Sequence, residues 1–157
     1  LVQSFPSTLI TDLKNTPDGR FLYVATRDAA SVTGYSVDSA TGRLTLLENS
    51  PFAAGDSVWA IAIHHSGRYL YSAGLPLTLH TIDSSTGELT TVATFPTVIG
   101  PWHLFLDPRL EALYTLVEIY SNEKNITAYK IDPETGLLSN RQDSAFGNEP
   151  KAAATTP

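Results

Sequence analysis

One unit occurs three times in this chain of 157 residues, and that repetition restricts the possible folds more than anything else in it. Asp18-Gly19-Arg20-Phe21-Leu22-Tyr23-Val24 returns as Ser66-Gly67-Arg68-Tyr69-Leu70-Tyr71-Ser72. It returns more loosely as Arg109-Leu110-Glu111-Ala112-Leu113-Tyr114-Thr115. The tyrosines stand 48 and 43 residues apart. A second marker follows each copy. Tyr35-Ser36-Val37-Asp38 leads to Thr41-Gly42, Thr81-Ile82-Asp83 to Thr86-Gly87, and Tyr129-Lys130-Ile131-Asp132 to Thr135-Gly136. Those glycines stand 45 and 49 residues apart. Two independent markers with one period define a structural repeat.

Each unit reads as four short strands. An apolar run such as Trp59 to His64 comes first and the Leu-Tyr strand second. A third strand ends at the Ile/Val-Asp marker, and a fourth follows Thr-Gly, as in Leu44 to Leu47 or Leu89 to Ala93. Alternation and β-branched residues favour strands, and no stretch keeps a 3.6-residue period. Asp followed by Thr-Gly supplies hairpin turns. Four strands every ~45 residues describe the blade of a β-propeller, an all-β fold of antiparallel sheets. The repeats run over 7–52, 53–97 and 98–146. Residues 147–157 are either the start of a fourth blade or a low-complexity tail. Ser144-Ala145-Phe146 matches Ser50-Pro51-Phe52, and Ala152 to Pro157 resembles an inner strand running into Asn15-Thr16-Pro17. Propellers close with four to eight blades, and an open arc leaves a sheet face uncovered at each end. The expectation is a single partial propeller domain, a piece of a longer chain or an arc completed by self-association.

Composition narrows the partners. Sixteen acidic residues outweigh ten basic ones, a net charge of −6, which disfavours the phosphates of nucleic acid. No apolar run approaches the ~18 residues of a membrane span. With no cysteine there is no disulfide and no thiolate nucleophile. The chain starts at Leu1 and has no methionine, so a processed or excised chain is expected, and no signal peptide is visible. A cytoplasmic location is the expectation; the sequon Asn125-Ile126-Thr127 leaves secretion open.

The chemistry concentrates in Gly100 to Asn122. An apolar run from His103 meets a turn at Asp107-Pro108-Arg109, and a second run from Ala112 leaves it, which predicts an antiparallel hairpin. Folding about that turn brings His103 towards Glu118, 15 residues on. An imidazole beside a carboxylate is either a candidate acid–base pair or an ordinary polar contact at a sheet end.

At these motifs the chain resembles the seven-bladed propeller lactonases, a family that includes propeller-type 6-phosphogluconolactonases and fungal carboxymuconate cyclases. The carrying residues are Pro17-Asp18-Gly19-Arg20-Phe21-Leu22-Tyr23-Val24, Gly67-Arg68-Tyr69-Leu70-Tyr71, and Gly100-Pro101-Trp102-His103 with Glu118. The resemblance covers about three of the family's seven blades. It implies lactone hydrolysis, or else ring closure of a muconate by proton transfer, on a small lactone or carboxylate. The family commonly has Arg where this chain has Trp102, a departure that points to a more apolar or aromatic ligand. A non-catalytic propeller that binds a partner is the rival reading, since fold alone does not carry activity.

Aligning the units on their tyrosines places Asp12 and Ala60 at the position of His103. Thr11 and Trp59 match Trp102, and Arg27 and Leu75 match Glu118. The expected lining of the central mouth is therefore Asp12, Arg27, Trp59, Trp102, His103 and Glu118, with Asp28 and Asp56 in adjoining loops. His103 is the candidate base, Glu118 its orienting carboxylate, and Arg27 the holder of a substrate carboxylate or the partner of Asp28 or Asp12. Trp59 and Trp102 either pack blades together or stack on ligand. His64 and His65 are expected in solvent at a turn away from the mouth, and His80 exposed or packed on a third strand. No cofactor is called for. No histidine cluster has metal spacing in the sequence, so no metal is expected, though a propeller can gather ligands from distant blades.

Overall fold

The computed structural model describes residues 9–97, 100–118 and 124–146, the side chains of 118, 124 and 140–146 excepted. It contains three antiparallel sheets in sequence order. The first is built from β1 (Ile10–Asn15), β2 (Phe21–Thr26), β3 (Ser31–Val37) and β4 (Leu44–Leu46), with the short β5 (Phe52–Ala53) added to β3. The second contains β6 (Asp56–Ile63), β7 (Tyr69–Leu75), β8 (Leu77–Ile82) and β9 (Leu89–Phe95). The third contains β10 (His103–Asp107), β11 (Ala112–Glu118), β12 (Lys124–Ile131) and β13 (Leu138–Phe146). Each is a chain-ordered meander, as the repeat predicts, and no helix occurs among the described residues. β5 makes the first sheet reach past the turn at Ser50-Pro51.

The sheets stack face to face through two cores. One joins Phe21, Tyr23, Ala25 and Val32 of the first blade to Val58, Ile61 and Leu70 of the second. The other joins Ala62, Tyr69, Tyr71 and Leu79 of the second to Leu113, Tyr129 and Ile131 of the third. Side chains alternate across a strand, so Leu70 serves one seam and its neighbours Tyr69 and Tyr71 the other. The consequence is plain in burial. β7, in the middle blade, is buried at six consecutive positions, whereas β2 alternates buried and half-buried residues. Phe105 and Leu13, on inner strands of the outer blades, remain more than half exposed.

The two repeated markers form the joints between blades. The Tyr23 hydroxyl donates to the Gly87 carbonyl and the Tyr71 hydroxyl to that of Gly136, each at 2.7 Å. The Tyr69 hydroxyl donates to the Glu134 carbonyl on the same turn. Gly87 has φ 76°, and a Cβ there would lie 2.4 Å from Cδ1 of Phe21. The glycine thus meets two demands, a left-handed turn and the approach of an aromatic ring from the previous blade. Within each turn the Asp carboxylate caps the backbone. Asp83 accepts from Ser85 Oγ and from the N–H groups of Ser85 and Thr86. Those bonds, the Ser85 hydroxyl foremost, hold its carboxyl down at about 2.

One expectation needs correction. His64 is not in solvent; it is 2% exposed and fully engaged between the second and third blades. The sequon lies within the third sheet. Asn125 sits in β12, which is paired with β11 on one side and β13 on the other, and its Oδ1 is buried.

Candidate functional site

The inner strands β1, β6 and β10 run side by side across the three blades. Their N-terminal ends, with the C-terminal ends of β2, β7 and β11, form one rim. There the backbone of β6 is irregular. Between its pairings Asp56 with Leu75 and Ala60 with Ala73 it carries extra residues, and Ser57 adopts φ 53°. Bulges of this kind re-aim side chains and terminate pairing at sheet ends. Gly74, opposite, has no room for a side chain, since a Cβ would lie 3.0 Å from the Asp56 carbonyl oxygen. The Gly100-Pro101 segment packs onto this same point, with a Gly100 Cβ position 3.4 Å from Leu75.

On this rim three blades contribute to one column. Trp59 and Trp102 stack with ring centroids 5.0 Å apart and planes 12° from parallel. The guanidinium of Arg27 lies 3.9 Å from the ring centroid of Trp59. The order across the arc is therefore Arg27, Trp59, Trp102. Ring stacking of this kind is worth about 0.5–1.5 kcal/mol beyond its buried area. A guanidinium over an indole contributes about 0.5–2 kcal/mol. The recurrence of Trp at one repeat position thus has a packing role, and Arg27 faces an aromatic ring where a carboxylate partner, Asp28 or Asp12, was anticipated.

Asp12 is a brace between blades. Its Oδ2 accepts from the Ile61 N–H at 3.1 Å, and its Oδ1 accepts from Lys14 Nζ and from the Leu13 N–H. Thr11, the counterpart of Trp102, donates its hydroxyl to the Val58 carbonyl at 2.9 Å. Each residue places one polar bond across the first seam.

His103 opens β10 and is exposed. It follows Trp102 directly, so it points to the other face of the strand. There it borders a groove of about 350 Å³ together with Leu104, Phe105, Tyr114, Thr115, Leu116 and Ile126. In the register of the hairpin His103 lies opposite Leu116, and Glu118 follows two positions later, opposite Lys124 of β12. The hairpin is the one anticipated, with the turn between Asp107 and Ala112. The meeting of His103 with the Glu118 carboxylate lies outside the described side chains.

A second polar cluster was not legible in the sequence. His64 Nε2 lies 2.8 Å from Glu111 Oε2, and His65 Nε2 lies 3.4 Å from Glu111 Oε1. The two histidines are adjacent, but the carboxylate arrives from a neighbouring blade 46 residues after His65, so no local spacing announces it. His80 is buried among Ser72 and Thr91, its ring nitrogens 3.1 and 3.2 Å from their hydroxyls. Burial pushes its pKa down to about 4.

Comparison with known proteins agrees with this architecture. The family described as "Lactonase, 7-bladed beta-propeller" matches residues 4–75 and 53–155. A 6-phosphogluconolactonase of Serratia proteamaculans is 34% identical over 93 residues, which is 57% of this chain and 28% of that protein. One from Photorhabdus laumondii is 31% identical over 108 residues, 64% of this chain and 32% of that protein. Among solved structures, the periplasmic gluconolactonase of Pseudomonas aeruginosa superposes with a TM-score of 0.73 at 19% identity, covering 93% of this chain and 42% of that one. The chain thus spans about a third of the curated relatives it matches.

Proposed function

Because the chain belongs to the seven-bladed β-propeller lactonase family, we propose that the protein it forms part of hydrolyses a sugar lactone, with His103 as general base. The observation that carries this reading is the position of His103. It is exposed at the rim, at the start of an inner strand, and directly follows Trp102 of the Arg27–Trp59–Trp102 column.

The chemistry follows from the groups present. A water molecule held by the imidazole of His103 loses its proton as it attacks the ring carbonyl. The carbonyl oxygen becomes an oxyanion that needs a donor. Collapse breaks the ring C–O bond, and the imidazolium returns the proton to the departing alkoxide. The product is the open-chain hydroxy acid. Glu118 orients the imidazole, and Arg27, a cation on this rim, attracts an anionic group of the substrate. Trp102 fills a position that would otherwise offer a second cation, which favours an unphosphorylated lactone over a phosphorylated one.

The test is a substrate panel on the complete protein: glucono-δ-lactone, its 6-phosphate, and γ-lactones of similar size. Hydrolysis with higher kcat/KM for the unphosphorylated ring is expected. Preference for the 6-phosphate overturns the role given to Trp102, and failure to hydrolyse any lactone overturns the enzymatic reading in favour of a binding propeller.

A further inference from the structure

Three departures from the repeat meet at one point on the seam between the second and third blades. The turn that reads Thr16-Pro17-Asp18-Gly19 in the first unit reads His64-His65-Ser66-Gly67 in the second. Where the first two units have Arg20 and Arg68, the third has Glu111. The backbone carbonyl at these three positions makes the same bond each time. The carbonyls of Arg20, Arg68 and Glu111 accept from Val37, Ile82 and Ile131 at 2.8, 2.8 and 2.7 Å. The side chains do not. Arg20 and Arg68 reach forward to the next blade, donating to the carbonyls of Ser84 and Pro133. Glu111 reaches back to the histidines of the previous one. It does so from φ 46°, a left-handed conformation disfavoured for a residue with a Cβ.

The result is a compact donor set. One ligand atom each from His64, His65 and Glu111 lies within 4.8 Å of the others. Two imidazoles and a carboxylate are all zinc ligands, and with three from the protein a water would complete the tetrahedron. His64 is buried and its Nδ1 lies 2.8 Å from Ser66 Oγ. Nδ1 also accepts from the Ser66 N–H at 3.3 Å; on metal binding the ring proton would move to Nδ1, where Ser66 Oγ accepts it, leaving Nε2 a lone pair for the ion. His65 and Glu111 are partly exposed, which leaves a path for the ion.

We propose that His64, His65 and Glu111 bind a zinc ion that clamps the second blade to the third. The site is remote from the rim. His64 is five residues from Trp59 along the same strand direction, roughly 16 Å at ~3.3 Å per residue. The role is therefore cohesion between blades, separate from the lactone reading.

Calorimetric titration of the metal-stripped chain with Zn²⁺ tests it, with Co²⁺ as the spectroscopic probe. One equivalent of zinc is expected to bind and to raise the melting temperature, and Co²⁺ is expected to give the visible bands of a tetrahedral site. His65→Gln and Glu111→Gln should each weaken binding at least about tenfold, and Ser66→Ala by about 10–100-fold. Glu48→Gln, an exposed carboxylate on the first blade, should change nothing. Absence of zinc binding by the unaltered chain overturns the proposal. So does binding that is undiminished in both His65→Gln and Glu111→Gln, whose folding is checked by circular dichroism.

Discussion

The hydroxyl of Tyr23 is bonded to the carbonyl of Gly87 in the next blade, and Tyr71 repeats the bond with Gly136. The repeat's two markers are therefore the two halves of one joint. Burial pushes both phenols well above their ordinary pKa, so they remain protonated donors at any working pH. Tyr71→Phe deletes the donor and leaves a buried carbonyl unpaired. A loss of about 1–3 kcal/mol is expected in urea unfolding, with the slope against denaturant unchanged. An unaltered midpoint would mean that the joint contributes nothing.

The glycines of the Thr-Gly turns separate two causes of strain. Gly42 has φ 69° and an added Cβ there would meet nothing within 4 Å, whereas at Gly87 it would strike Phe21. Gly42→Ala should cost about 1–2 kcal/mol from backbone conformation alone. Gly87→Ala should cost that plus about 1–3 kcal/mol of overpacking. Chemical denaturation of the two variants measures the difference; equal losses would contradict the packing of Phe21 on the turn.

His80 makes stability depend on pH in a defined direction. Its folded pKa, about 4, lies below the ordinary value of 6.5 because burial disfavours the charged ring. Between those values the unfolded chain binds the proton and the folded chain does not. Stability therefore rises with pH through the window 4 to 6.5 and is flat above it for this group. The full effect is on the order of 3 kcal/mol. Melting temperatures measured across this window should show the slope, and His80→Gln should remove most of it.

Arg27 serves packing and, in the proposed function, the substrate. Arg27→Gln should lower stability by about 0.5–2 kcal/mol through loss of the contact with Trp59. With an anionic lactone the same variant should raise KM more than it lowers kcat, since the guanidinium binds ground state and transition state alike. A fall in kcat with unchanged KM would place Arg27 at the reacting carbonyl.

Much of this was legible in the chain, and the rest was not for identifiable reasons. The strands, turns and period were readable because Tyr23, Tyr71 and Tyr114 recur with Gly42, Gly87 and Gly136. That Tyr23 bonds Gly87 was not, because a repeat shows equivalence of positions and says nothing of which copy touches which. The hairpin of His103 was readable from the turn at Asp107-Pro108-Arg109. That Trp59 and Trp102 pack blades together was one of two readings open to the sequence, and they do stack; that Arg27 lies on Trp59 was not legible, since the two belong to different blades. Asp12 looked like a lining residue by alignment with His103, yet its carboxylate serves the Ile61 N–H of the next blade. His64 looked like a turn residue in water because its partner, Glu111, stands where the repeat has arginine.

The most direct test of the account is the rate of gluconolactone opening by the complete protein and by its His103→Ala variant, followed as proton release against the uncatalysed background. The account predicts that removing this imidazole lowers kcat by about 10²–10⁴-fold while the variant keeps its melting temperature, as an exposed residue should. Turnover that survives His103→Ala undiminished would contradict it.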